Sequence, residues 1–314
     1  MAQRANPMKR SGIKRYIAEA SAFLSEHCCH LPSCALMGAW LLGLLLPSWA
    51  FAQTAPAARP PATPPRAVKR VLVVGQAKGF EHDSISAAMV AVYELGQQSG
   101  LWDATLRTDT ELVTKSKLDR NAKNLATFDA IVFASTTGEL EMSQEQKQDL
   151  LSFVHDDGKG FVGIHAALDT FHNWPEYGEM IGGWFDQHPW GTFDAPIVNE
   201  APDFPATRHF PRTFIKHDEI YQPSSEWSRE KCNVLLSLDA SKLDLANPRV
   251  HRKDHDFAVA WAKSYGKGRV FYSTLGHTTE SWQDPDIRTM YFEAIKWALG
   301  LSDGTTESHP ALVH

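Results

Sequence analysis

Cysteine is scarce in this chain, which has only four in 314 residues. Three of them, Cys28, Cys29 and Cys34, lie near the start, in a segment that we expect to be removed. The mature chain then keeps Cys232 alone, so it cannot form an internal disulfide. We therefore expect a hydrophobic core to hold the fold, and about 230 residues are enough to build one.

The sequence also lacks a surplus of basic residues. It carries 31 lysines and arginines against 37 acidic residues, a formal net charge of −6. A nucleic-acid-binding protein would present a basic face, so we predict no nucleic-acid partner. The hydrophobic share of 43% and the charged share of 22% are those of an ordinary globular protein, which excludes collagen-like and disordered chains.

Two kinds of short motif are missing. No G-x-G-x-x-G follows a predicted strand, and no glycine-rich loop ends in Lys-Ser or Lys-Thr. The sequence therefore predicts no nucleotide cofactor. There is also no G-x-S-x-G, the turn that carries the nucleophile of an ordinary serine hydrolase.

The apolar run over 35–46 (ALMGAWLLGLLL) has 12 residues, whereas a membrane span needs about 20. It follows a basic stretch and precedes Ala50-Phe51-Ala52, which is typical of a signal peptide over 1–52. We predict a periplasmic or secreted protein, with an uncleaved signal anchor as the alternative. Residues 53–67 are predicted to form a Pro/Ala-rich linker, 68–301 one domain, and 302–314 a flexible tail.

Apolar runs and helical patterns alternate in the first half of the domain. We predict strands at 71–74, 104–107, 129–134 and 161–164, and helices at 84–98 and 143–155. This alternation favours a parallel sheet with right-handed crossovers. The second half has strand patterns with few helical periods, at 192–198, 212–215, 234–238, 257–263 and 269–274, before a closing helix at 286–299. The prediction is an α/β sandwich with an inserted antiparallel section.

Three histidines follow predicted strands: His82, His165 and His277. Ligands of open parallel sheets bind beyond the carboxyl ends of the strands, so we expect these side chains to meet and to be catalytic. Two interpretations stay open. The imidazoles hold a divalent metal, zinc first, with nearby carboxylates completing or supporting the shell, or they act without a metal as acids and bases.

Aromatic and polar side chains are concentrated around the same motifs. An aromatic face packs against the C–H face of a sugar ring, while carboxylates and imidazoles bind its hydroxyls. The residues predicted to bind substrate are Phe80, Glu81, His172, Trp174, Tyr177, His188, Asp218, Glu219, Tyr221, Glu280 and Trp282. We expect about half of the aromatic ones to fill the core instead. The predicted partner is a small sugar or glycoside.

Four segments, GFEHDS, GIHAALDTFHNWPEYGEMIGGWF, DEIYQ and GRVFYSTLGHTTESW, resemble the trehalose-utilisation (ThuA-like) family in sequence and order. The resemblance implies a flavodoxin-like fold of the class I glutamine amidotransferase type, and a role in bacterial sugar metabolism. In that fold a cysteine nucleophile occupies the turn that holds His165 here. An imidazole cannot form the thioester of glutamine hydrolysis, so glutaminase activity is not expected.

From these features we predict a secreted ThuA-like protein that acts on an oxidised (keto) sugar or glycoside. An isomerase, lyase or hydrolase type of reaction would fit its histidines and carboxylates. Two alternatives remain: a non-catalytic sugar-binding module on the same fold, and an oligomerisation domain whose histidine-bearing edge is covered by a second copy. The sequence is compatible with a homo-oligomer.

Overall fold

The computed structural model describes residues 67–311. The predicted signal peptide over 1–52 lies outside the described residues, as does the predicted linker apart from Ala67. Within the described part of the chain, no helix is both long and apolar enough to cross a membrane.

The described residues form eleven strands and four α-helices. The strands are β1 (Lys69–Val74), β2 (Trp102–Arg107), β3 (Ala130–Ala134), β4 (Gly160–Ile164), β5 (Phe185–Gln187), β6 (Thr192–Asn199), β7 (Thr213–Glu219), β8 (Gln222–Pro223), β9 (Asn233–Leu238), β10 (Ala258–Tyr265) and β11 (Gly268–Ser273). The helices are α1 (Ser84–Ser99), α2 (Gln144–His155), α3 (Pro175–Ile181) and α4 (Pro285–Ala298). Helix α3 and the short strands β5 and β8 were not predicted from the sequence.

Nine of these strands form one sheet in the order β2-β1-β3-β4-β11-β10-β9-β6-β7. The first five are parallel, in the 2-1-3-4-5 order of flavodoxin-like folds. The other four are antiparallel and continue the same sheet beyond β11. The α/β prediction is therefore confirmed, and the inserted antiparallel section widens the sheet rather than forming a layer of its own.

Both faces of the sheet are buried, which explains why its central strands are apolar throughout. Along β1, Val71 and Val73 pack in the cluster that includes the inner faces of α1 and α4. The alternate residues, Leu72 and Val74, pack in the cluster that includes α2 and α3. Alternation along each strand therefore supplies two cores from one sheet.

The segment after α4 runs along the domain. Arg269 donates to the carbonyl of Ser302 over 2.8 Å, and Asn233 Nδ2 donates to that of Thr305 over 2.9 Å. His309 Nε2 lies 2.8 Å from the carbonyl oxygen of Val234. These contacts place Ser302, Thr305 and His309 beside β9 and β11, while the flexibility of residues 302–314 stays a prediction.

Candidate functional site

His165 stands at the end of β4, on a sharp turn into a 3-10 helix. Its φ is 45°, a left-handed backbone that is uncommon outside glycine. The hydroxyl of Tyr272 donates to the His165 carbonyl over 2.8 Å and helps to hold the turn. Gly163 allows the close packing, because a Cβ there would lie 3.0 Å from Ile181. Such conformations concentrate at functional sites.

The neighbouring strand β3 ends in the same way. Ser135 follows it with a φ of 51°, and its N–H donates to the carbonyl of Ile164 over 3.2 Å. Its hydroxyl is buried, with no hydrogen-bond partner among residues 67–311. Sequence reasoning missed this serine, since only the register of β3 against β4 places it opposite His165.

The His165 ring is fully buried and has one fixed orientation. Nδ1 lies 2.6 Å from the carbonyl oxygen of Thr274, and because a carbonyl only accepts, Nδ1 carries the proton. Nε2 is left with its lone pair, 3.0 Å from Nδ1 of His277. Burial, reinforced by the neighbouring imidazoles, holds the pKa of His165 well below its ordinary value of 6.5. The ring is therefore neutral at pH 7.

His82 completes the trio from the loop before α1. Its ring centroid lies 4.9 Å from that of His165 and 5.1 Å from that of His277, nearly perpendicular to both. Burial and the nearby His277 lower the pKa of His82 to about 4. Nδ1 of His82 is buried without a hydrogen-bond partner within the described chain. The three histidine rings therefore lie together at one site, as the sequence predicts.

Glu219, the last residue of β7, brings a carboxylate to the histidines. Its Oε2 lies 3.2 Å from Nδ1 of His277 and 3.6 Å from Nε2 of His165. Its other oxygen, Oε1, lies 3.4 Å from Nδ1 of His188. Burial raises the pKa of Glu219 above its usual value.

Asp218 uses both carboxylate oxygens in hydrogen bonds within the protein, and its predicted role in binding substrate stays a prediction. Its Oδ2 accepts from Gly276 N and Ser281 Oγ over 2.8 and 3.0 Å. Its Oδ1 accepts from the backbone N–H groups of Glu219 and His277 over 2.9 and 3.0 Å. Three of these contacts, from Gly276, His277 and Ser281, organise the loop that carries His277. Burial raises the pKa of Asp218 to about 6.

His82, His165, His277 and Glu219 together form a donor set, which we call the histidine-glutamate cluster. One ligand atom from each lies within 4.8 Å of the others. Neutral imidazole nitrogens and carboxylate oxygens are ligands that zinc binds in proteins, at about 2.0–2.2 Å from the ion. The unpartnered Nδ1 of His82 fits such a ligand. These residues therefore suit a divalent metal.

Aromatic side chains flank the cluster on two sides. The Tyr221 ring lies 4.4 Å from His165 and also 4.4 Å from Phe185. On the other side, the Phe80 ring lies 4.8 Å from His82. Of the predicted substrate-binding residues, Phe80, Tyr221, His188 and Glu219 therefore lie at or beside the cluster.

Three predicted sugar-binding aromatics belong to the core instead. Tyr177 is fully buried, and its hydroxyl donates to the carbonyl of Ala167 over 2.7 Å. Trp174 stacks on Tyr177, with centroids 5.8 Å apart. Trp282 is buried against Tyr291 at 5.0 Å, and its Nε1 donates to the Gly276 carbonyl. All three side chains are buried, as was expected of about half of these aromatic residues, and their substrate-binding role stays a prediction.

The remaining predicted residues lie further out. Glu81 and Glu280 are exposed, and neither side chain has a hydrogen bond or ion pair within residues 67–311. His172 is also exposed and pairs with Asp169, its Nε2 lying 2.9 Å from Oδ1. That contact raises the pKa of His172. The Asp169 side chain was not predicted, because an aspartate in a turn carries no distinctive signal by itself.

The strand order and the histidine on the turn after β4 define an α/β protein with a flavodoxin-like sheet, in which the histidine-glutamate cluster occupies the carboxyl edge. The sequence profile of the ThuA family, described as trehalose utilisation, matches residues 70–298. The chain belongs to this family.

Two solved structures share this fold. A ThuA-like protein from Bacteroides uniformis is 23% identical with a TM-score of 0.60, over 76% of this chain and 94% of that one. A second, from Parabacteroides merdae, is 17% identical with a TM-score of 0.55, over 77% and 97%. No curated protein matches the chain significantly.

Proposed function

We propose that this protein is an enzyme that acts on an oxidised (keto) sugar or glycoside at a divalent metal centre formed by the histidine-glutamate cluster. The observation that carries the proposal is the convergence of three imidazoles and one carboxylate within 4.8 Å. The family's link to trehalose utilisation supports a carbohydrate substrate. A divalent ion held there supplies a Lewis acid, which polarises a carbonyl or hydroxyl oxygen.

The charge balance of the site favours a cation. His82 and His165 are neutral at pH 7, because burial lowers the pKa of each. The Glu219 carboxyl lies 3.6 Å from the His165 ring, and neither Glu219 nor its neighbour Asp218 has a lysine or arginine ion pair in residues 67–311. Buried carboxylates without a counter-charge are costly. A divalent cation would offset that cost, and neutral imidazoles are the form that binds metal.

The chain's own groups divide into those that hold the site and those that face a substrate. Thr274 and Asp218 fix His165 and the His277 loop through hydrogen bonds. The His277 side chain is about one-quarter exposed and lies between the buried cluster and the surface. His277 is thus the most exposed histidine of the cluster and the one best placed to contact a sugar hydroxyl. Tyr221, whose ring lies 4.4 Å from that of His165, supplies an apolar wall for the reacting sugar ring.

The proposal includes export. The leader over 1–52 has the basic, apolar and small-residue sequence of a signal peptide, so we infer a periplasmic or secreted location. Fractionation of the native host, followed by N-terminal sequencing of the mature chain, tests this part. A mature protein that begins at Gln53 is the expected result. An intact leader in the cytoplasmic fraction would contradict it.

Elemental analysis of the protein, purified without a His-tag and without chelator, tests the metal centre. We expect about one zinc or other divalent ion per chain. The ion should be lost in His165→Ala and retained in His217→Ala, a matched control because His217 is exposed and pairs with Asp194 outside the cluster. No ion in the wild-type protein, even after incubation with candidate metals, would refute the metal centre.

Incubation of the metal-loaded protein with 3-keto-glycosides, followed by NMR, then tests the reaction. Conversion of the sugar that depends on His165 and on the metal is the expected result. Binding without conversion would instead identify a non-catalytic sugar-binding module. Failure of the sugar to bind at all would exclude the carbohydrate proposal.

A further inference from the structure

Phe80 is the most exposed large hydrophobic side chain among residues 67–311, with 69% of its surface accessible. Its ring meets that of His82 edge-on, with centroids 4.8 Å apart at 73°. His82 in turn lies 4.9 Å from His165. A single imidazole therefore separates this open phenyl face from the centre of the histidine-glutamate cluster.

The backbone at Phe80 is firmly held. The Thr137 hydroxyl donates to the Phe80 carbonyl over 2.8 Å and accepts from Gly79 N over 3.2 Å. Lys78 N donates to the Thr137 carbonyl over 2.8 Å. These contacts fasten the loop to the chain after β3. Because the backbone is held, only the side chain of Phe80 loses freedom when a ligand covers the ring, which favours binding.

Polar groups lie on the far side of the same backbone. Gly138 N donates to the Asp169 carbonyl over 2.8 Å, while a Cβ on Gly138 would come within 2.7 Å of Gly79 N. The Phe80 loop and the Asp169 turn therefore pack on the two sides of Gly138. The side chains of Asp169 and His172 are paired, and they are 31% and 44% exposed. Such a pair offers both acceptors and donors to sugar hydroxyls.

We propose that Phe80, Asp169 and His172 form a second sugar subsite beside the histidine-glutamate cluster. The ring that reacts lies at the cluster, and the next ring of the substrate stacks on Phe80. The preferred substrate is accordingly a two-ring glycoside rather than a free monosaccharide. This inference rests on the proposed function, since it needs a sugar at the cluster.

Ligand-observed NMR on fresh mixtures tests the subsite, with 3-keto-trehalose and 3-keto-glucose as probes of metal-loaded full-length protein. The two-ring sugar should bind wild-type protein about five- to tenfold more tightly, the range expected for one aromatic contact. Phe80→Ala should remove this preference by weakening the two-ring sugar alone. Phe80→Trp should retain it, because the indole preserves a stacking face.

Tyr93→Ala is the matched control, since Tyr93 is an exposed aromatic residue on α1 and should leave both affinities unchanged. Equal weakening of both sugars by Phe80→Ala would place Phe80 against the first ring and overturn the second subsite. If Phe80→Ala changes neither affinity, the second subsite is also overturned. The proposed function survives both of these outcomes, because it needs only a sugar at the cluster. If neither sugar binds wild-type protein, the proposed function fails and the subsite fails with it.

Discussion

Replacing Gly138 with alanine should destabilise the protein strongly, for two separable reasons. Its φ of +72° is left-handed, which costs a residue with a Cβ about 1–2 kcal/mol. The added Cβ would also lie 2.7 Å from Gly79 N and 2.9 Å from the carbonyl carbon of Lys78. Neither atom can move without shifting the backbone, and overpacking of this kind costs about 1–3 kcal/mol. The expected loss is therefore about 2–5 kcal/mol in the free energy of unfolding.

Gly100→Ala separates the two contributions. Gly100 has nearly the same backbone, with a φ of +65°, but no atom lies within 4 Å of a Cβ placed there. It should lose only the conformational part, about 1–2 kcal/mol. Urea unfolding of both variants, with chelator present throughout, gives the difference directly. Equal losses in the two variants would refute the argument that Gly138 is required by the close approach of the Phe80 loop.

Two further predictions concern other parts of the molecule. Asp218→Asn should lower zinc affinity about 10- to 100-fold in a competition titration, because the contacts of Asp218 position His277 and Glu219. Asp194→Asn changes an exposed carboxylate and should leave the zinc affinity unchanged. If the two variants bind zinc equally tightly, the positioning role of Asp218 is contradicted. Burial raises the pKa of Cys232 to about 12, so its thiol is protonated and unreactive at pH 8. In a variant whose other three cysteines are changed to serine, a thiol reagent at pH 8 should therefore label Cys232 only after unfolding. Rapid labelling of the native chain would show that this thiol is accessible.

The central sheet was predictable because its signals are local. The runs before Gly75 and after Asp129 are apolar at every position, as strands buried on both faces require. The helix that begins after Ser143 was also predictable, since Ser143 and Gln146 form a capping box. Helix α3 was missed because its seven residues are too few to show a clear helical period.

The site was predictable only in part. The three histidines follow strand ends, so sheet topology alone brings them together. The neighbours Asp218 and Glu219 were indistinguishable in sequence, yet one organises a loop and the other reaches the histidines. The burial of Tyr177 and Trp282 could not be predicted from the sequence, because aromatic residues suit a sugar site and a core equally well. Tertiary packing decides such cases.

The contact between His165 Nδ1 and the Thr274 carbonyl oxygen has an evolutionary consequence. The partner is main chain, so substitution of the Thr274 side chain leaves the acceptor in place. A carbonyl also does not titrate, so it specifies the same tautomer whenever the imidazole is neutral. Burial keeps this ring neutral at pH 7, and the carbonyl then holds it in one orientation. A change of side chain at position 274 would therefore leave the orientation of His165 unchanged.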